Sequence, residues 1–221
     1  MKYIVGNLKS HKNKSEIEAW VQAFISHDLT IIKNTQVVIC PSYSALYFVS
    51  DALHGLHGIS VGAQDISAFP PGKYTGEIAA SSITGIATHT IIGHSERRRY
   101  LQEQPEKKKK KVEQAHSSAL KTIFCVRGPQ DPIPVSVDFV AYEPVESIGN
   151  GNNASLQSVI EMKDMLSIPT QAQYIYGGSV DDSNVQEYLT SNHIDGVLPG
   201  TASLDPNQFY TLILNAESAL Q

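Results

Sequence analysis

Cysteine is scarce in this chain. Cys40 and Cys125 are the only two in 221 residues, and each closes an apolar run, "QVVIC" and "KTIFC". Two such residues exclude a disulfide framework and read as small core residues at strand ends, in a reducing compartment. No stretch approaches the ~18 consecutive apolar residues of a membrane span. The opening "MKYIVGNLKS" reaches Gly and Asn too soon for a secretory leader. The expectation is a cytoplasmic protein with no membrane partner. Positive charge is lacking as well: 17 Lys and Arg against 22 Asp and Glu leave a net charge of −5, which gives no footing for nucleic acid. Metal-ligand spacing occurs only as "HGLH" (His54 to His57), without an acidic or cysteine cluster beside it, so no metal is expected. There is no linker and no low-complexity tract beyond "KKKKK", so one domain spanning 1–221 is expected.

What is present is a rhythm. Eight short apolar runs recur, each followed by turn residues: Tyr3 to Val5, Gln36 to Cys40, Ile59 to Ala63, His89 to Gly93, Thr122 to Val126, Asp138 to Tyr142, Tyr174 to Gly178 and Asp195 to Gly200. They are short and rich in β-branched residues, as parallel strands buried on both faces must be. Helical patterns lie between them at Ser15 to Phe24, Ala45 to Leu53, Glu77 to Ile86, Lys107 to Ala119, Ser155 to Leu166, Asp182 to Thr190 and Pro206 to Leu214. Ser15 and Glu18 have the spacing of a capping box for the first. The lysine run in "EKKKKKVEQ" reads as a solvated helix face. Strand and helix alternating eight times predict an α/β chain folded as a (β/α)8 barrel, a fold of about 250 residues. This version is compact. Between the fifth and sixth strands, "RGPQDPIPVSVD" places three prolines in 12 residues, so the connection there is shortened and carries no ordinary helix.

Barrels of this kind build their sites where strands end. The residues so placed are Asn7 and Lys9, Gln64, His94 and Glu96, Glu143, the "GGS" of Gly177 to Ser179, and Gly200 with Thr201. A partly desolvated Glu143 can serve as a general base, although taken alone it also reads as a solvated loop glutamate. His94 can polarise a carbonyl or simply hold a hydrogen bond, and Lys9 can be a fixed cation or a surface lysine. The last two loops bring small residues to strand ends, exposing N–H groups that can cradle a phosphate.

Read in order, "GNLKS", "GAQD", "YTGE", "IIGHSERR", "AYEPVESIGNG", "YGGSV" and "DGVLPGTASL" resemble the signatures of the triosephosphate isomerase family from Gly6 to Leu204. The resemblance implies interconversion of dihydroxyacetone phosphate and D-glyceraldehyde 3-phosphate, in glycolysis and gluconeogenesis, with neither cofactor nor metal. It implies Glu143 as base, His94 as electrophile, and Lys9 with Asn7 beside the developing oxyanion. Phosphate would rest on N–H groups of Gly149, Ser179, Gly200 and Thr201. Glu96 would partner Lys9, Ser95 and Arg97 would fix the loop after the fourth strand, and Tyr176 with Ser179 would latch a closing lid. The loop "DISAFPPGKYTGE" would place Thr75 near a neighbouring subunit's site, so a homodimer is the minimum assembly and a tetramer the alternative. Three departures stand out: Glu146 in place of a lid tryptophan, Thr201 in place of a second glycine, and Arg127-Gly128 in place of Gly-Glu. A catalytically impaired barrel of the same family, acting as a sugar-phosphate binding or structural protein, is the competing expectation.

Overall fold

The computed structural model describes residues 1–144 and 153–221. Eight parallel strands close on themselves in chain order: β1 (Lys2–Asn7), β2 (Thr35–Cys40), β3 (Ile59–Ala63), β4 (His89–Ile92), β5 (Lys121–Val126), β6 (Phe139–Tyr142), β7 (Gln173–Tyr176) and β8 (Gly196–Val197). The seam is at β1, where Ile4 lies opposite Val37 of β2 on one side and Val197 of β8 on the other. The helices are α1 (Lys14–Ile25), α2 (Tyr43–Ala52), α3 (Ser95–Leu101), α4 (Pro105–Ser117), α5 (Leu156–Met165), α6 (Val185–Leu189) and α7 (Pro206–Ala219). This is the (β/α)8 barrel that the alternation predicts. No helix forms between β5 and β6, where the three prolines deny the backbone its donors. None of the described helices is long and apolar enough to cross a membrane.

Because successive strand residues point to opposite faces, the chain builds two cores. Inside the barrel sit Val5, Val38, Ile91, Ile123, Phe139 and Ile175, together with Cys40 and Cys125. Both cysteines are free and buried, as expected of small core residues, and burial pushes the Cys40 thiol up to about 12, which leaves it unreactive. Between barrel and helices, Trp20 stacks on Phe24 at 5.1 Å, and both meet Phe209 of α7. Each such ring contributes about 1.5–3 kcal/mol by leaving water.

Several local expectations need correction. The box that starts α1 is Asn13 with Glu16, not Ser15 with Glu18: Asn13 Oδ1 accepts the Glu16 N–H at 3.1 Å and Glu16 Oε2 accepts the Asn13 N–H at 2.7 Å. Only one 3-10 turn, Ala80–Ile83, forms within 77–86, where Ser82 bonds back to the Ala79 carbonyl and Gly85 turns the chain at φ 79°. Likewise α6 begins late, since Asp181 accepts from the Ser183 N–H and holds the preceding residues in a turn. The segment after β4 contains α3, which periodicity did not reveal because its start is set by His94 acting as the cap. Nor is the lysine run simply a solvated face. Lys108 and Lys111, three apart and therefore on one side of α4, are buried. Lys111 pairs with Asp65 at 2.6 Å and with Glu103, while Lys108 lies over the Phe124 ring at 5.3 Å.

At the N-terminal end of the strands, His89 packs edge-on to Tyr3 and beside Phe139. Its Nδ1 meets the Thr88 hydroxyl at 2.7 Å, and its Nε2 has no partner among the described residues. Burial, aided by Lys121 and only partly offset by Asp138, pushes its pKa from 6.5 down to about 4. The unfolded chain therefore takes up a proton at a pH where the folded one does not, so stability is full above pH 6.5 and drains away as pH falls toward 4, by up to roughly 3 kcal/mol. His89→Phe should flatten that part of a stability-versus-pH curve, measured by urea unfolding; an unchanged acid slope would rule out this histidine as the source.

Candidate active site

The C-terminal ends of the strands surround a cleft of about 230 Å³, lined by Lys9, His94, Glu143, Gly177, Gly178, Ser179, Leu198, Gly200, Thr201 and Gln208. Glu143 follows β6 directly and its N–H is anchored on the Val126 carbonyl at 2.8 Å. Its carboxylate, 1% exposed, is gripped from two sides. Oε2 accepts the Ser95 N–H at 2.7 Å, and Oε1 lies 3.0 Å from His94 Nε2. Burial pushes this carboxyl up, but His94 and the Ser95 N–H outweigh it and hold the group below its usual 4.5.

His94 caps α3, and its Nδ1 accepts the Glu96 N–H at 3.3 Å. In the neutral ring the proton consequently sits on Nε2 and points at Glu143. Burial alone would lower the pKa of the imidazole, yet the Glu143 carboxylate reverses the direction and raises it above 6.5. Asn7 Nδ2 stands 3.4 Å from the same Nε2. Lys9 takes a left-handed backbone at φ 52°, uncommon for a side chain with a Cβ and worth about 1–3 kcal/mol of strain. That turn is held by Asn7 Oδ1, which accepts the Lys9 N–H at 3.0 Å, and by Gln64 Nε2, which donates to the Lys9 carbonyl at 2.8 Å. The Lys9 ammonium then reaches Glu96 Oε1 at 2.6 Å.

At the opposite wall, a helical turn starts at Thr201, and the first N–H groups of any such turn lack internal acceptors. Ser203 ties it to β1 by donating to the Asn7 carbonyl at 3.0 Å, and Trp20 donates to the Ser203 carbonyl at 3.1 Å. The "GGS" turn stands beside it. Tyr176, fully buried, folds back under Gly178 so closely that a Cβ there would fall 2.0 Å from its hydroxyl. That hydroxyl accepts the Ala154 N–H at 2.8 Å.

Thus Asn7, Lys9, Gln64, His94, Glu96, Glu143, Ser179, Gly200 and Thr201 come together at one end of the barrel as their positions after strands predicted, and Ser95, expected from the resemblance alone, joins them through its N–H to Glu143. Arg97 turns away from the cleft to pair with Asp65 at 2.8 Å. Thr75 is exposed on the long loop and does not line the cleft. Gly149 and Glu146 lie outside the described residues. Sequence reasoning missed Tyr188, whose hydroxyl donates to the Ala154 carbonyl at 2.6 Å and accepts from Asn153 at 2.9 Å, with its ring 4.6 Å from that of Tyr176. It also missed Gln208 on the cleft wall. Neither residue sits at a strand end, and neither falls within the motifs that carry the family resemblance.

The family model described as triosephosphate isomerase matches residues 2–133 and 130–216, the two pieces meeting in the β5–β6 connection that has lost its helix. Curated proteins named triosephosphate isomerase match along nearly the whole chain. The one from Dictyoglomus thermophilum is 32% identical over 96% of this chain and 98% of its own length. That of Synechocystis sp. is 33% identical over 95% and 96%, and that of Mesomycoplasma hyopneumoniae 32% over 97% and 99%. With the barrel closed, the carboxylate and imidazole paired at its mouth, and both pieces of the match in register with them, this chain belongs to the triosephosphate isomerase family.

Proposed function

We propose that the chain interconverts dihydroxyacetone phosphate and D-glyceraldehyde 3-phosphate by moving a proton between two adjacent carbons. The observation that carries this reading is the buried Glu143 carboxylate, held by His94 and the Ser95 N–H at the edge of a cleft whose far wall offers backbone donors. The phosphate rests on N–H groups of Ser179, Gly200 and Thr201, and Gly149 is assigned the same role. A substrate carbonyl takes over the Nε2 proton of His94 that Glu143 now accepts, and Glu143 turns to the carbon-bound proton. Two electrostatic changes follow from that exchange. Glu143 loses the donors that kept its pKa low while staying buried, so it becomes a stronger base. His94 loses the carboxylate that raised its pKa, so burial returns it to the neutral form, an electrophile that donates without giving up a full proton. Lys9 and Asn7 stabilise the oxyanion, and Glu96 keeps the Lys9 ammonium in place. Tyr176 anchors the start of the segment after the lid through Ala154. No cofactor or metal is assigned a step.

The same reading makes the protein cytoplasmic and at least a homodimer, with a tetramer as the alternative. The loop that carries Thr75 is exposed, and Tyr47, Tyr74, Tyr100 and Leu101 leave large apolar surfaces uncovered. Sedimentation velocity should give a species of about twice the 24.1 kDa chain mass; a monomer at micromolar concentration would sink the dimer.

Glu143→Gln removes the base and little else, so kcat should fall by about 10²–10⁴ while binding of a phosphate analogue is kept. In a coupled assay with D-glyceraldehyde 3-phosphate, near-normal turnover of that variant would end the mechanism, and wild-type binding without turnover would leave a binding protein. Gly200→Ala would set a Cβ 2.8 Å from Lys9 Cε. It should raise KM several-fold through the displaced ammonium, and an unaltered KM would show that Lys9 has room to spare.

A further inference from the structure

The guanidinium of Arg98, its side chain 5% exposed, spends its donors on three different acceptors. Nε donates to the Gly93 carbonyl at 2.6 Å, Nη2 to the Cys125 carbonyl, and Nη1 to Asp131 Oδ2 at 2.5 Å. The two carbonyls are not incidental. Gly93 O belongs to the peptide that leads into His94, and Cys125 immediately precedes Val126, whose carbonyl anchors the Glu143 N–H at 2.8 Å. One cation therefore holds the peptide before the electrophile and the strand end that seats the base.

A buried guanidinium needs a counter-charge to stay where it is. Among the described residues, the carboxylate bonded to Arg98 is that of Asp131, itself 8% exposed and fixed by the Arg127 N–H at 2.7 Å. Asp131 N–H closes the turn on the Gly128 carbonyl at 3.1 Å. Where the family resemblance leads one to expect Gly-Glu, the chain has Arg127-Gly128 and no carboxylate at that point. The acid arrives three residues later, from the connection that lost its helix.

We propose that Asp131 is a positioning residue for the isomerisation, acting through Arg98 to hold the peptides that aim His94 and seat Glu143. This rests on the function proposed above. Without the Asp131 charge, Arg98 is pulled toward water and releases both carbonyls, and a displacement of about 1 Å at reacting groups costs on the order of 10²-fold in rate. The phosphate wall, built from β7, β8 and the turns after them, is untouched.

The test is steady-state kinetics on the purified full chain with D-glyceraldehyde 3-phosphate, together with affinities for 2-phosphoglycolate and for inorganic phosphate. Asp131→Asn should lower kcat by roughly 10- to 100-fold with KM changed by less than about threefold. Affinity for 2-phosphoglycolate, whose carboxylate mimics the enediolate, should fall alongside kcat while that for inorganic phosphate holds. Asp131→Glu should recover most of the rate. Arg98→Lys, which keeps the charge but cannot span three acceptors, should reproduce the Asn pattern and covers the case in which the Asn variant fails to fold. A folded Asp131→Asn or Arg98→Lys protein with wild-type kcat overturns the proposal, as does a fall in kcat matched by an equal loss of phosphate affinity. An inactive wild-type chain would instead overturn the proposed function.

Discussion

One buried carboxylate sets the terms for the mouth of this barrel. Glu143 is out of water, and an ionised carboxyl there is sustained only by donors aimed at it. The turn after β4 supplies both, a peptide N–H from Ser95 and an imidazole N–H from His94. To point its Nε2 that way, His94 must cap α3 and receive the Glu96 N–H on Nδ1. Glu96 in turn is fixed by Lys9, whose left-handed backbone is sustained by Asn7 and Gln64. Residues from β1, β3, β4 and β6 are thus linked through hydrogen bonds into one arrangement, and closure of the barrel in chain order is what makes them neighbours.

Much of this was legible in the sequence because strand ends announce themselves. An apolar β-branched run followed by polar or small residues marks the place where a barrel builds its site, and Lys9, His94, Glu143 and Gly200 were all found that way. The shortened β5–β6 connection was equally readable, since proline chemistry decides it locally. Periodicity failed where tertiary contacts decide. The 77–86 segment has helical spacing, yet Ser82 bonding back to Ala79 and Gly85 at φ 79° limit it to one 3-10 turn, and α3 is seven residues long and capped by His94. Asn13 rather than Ser15 caps α1, because Asn13 Oδ1 accepts the Glu16 N–H while the Ser15 hydroxyl donates to that same oxygen, a choice that spacing alone does not make. Tyr188 and Asp131 lie on a helix and in an irregular loop, where nothing in local pattern distinguishes an interior hydroxyl or carboxylate from a solvated one.

Loss of a helix between β5 and β6 did not leave that part of the barrel unsupported. Val137 is fully buried as the chain enters β6, and Asp138 accepts both the Thr122 N–H and hydroxyl, which keeps the strand pair in register from outside the ladder. The connection is short because a parallel crossover needs only to span the strand length, and polar ties have taken the place of helix packing.

The five consecutive lysines of α4 show how little composition says about exchangeability. Lys107, Lys109 and Lys110 are exposed, and any side chain that prefers water could stand there. Lys111 sits between two carboxylates and Lys108 on an aromatic face, places a neutral or shorter side chain cannot fill. A homopolymeric stretch normally tolerates slippage, since gaining or losing one repeat unit leaves the text almost unaltered. Here a single-residue slip would turn α4 by about 100° and move its inward valine and alanine away from the barrel, so that the most repetitive words in the sequence are among those least free to change in number.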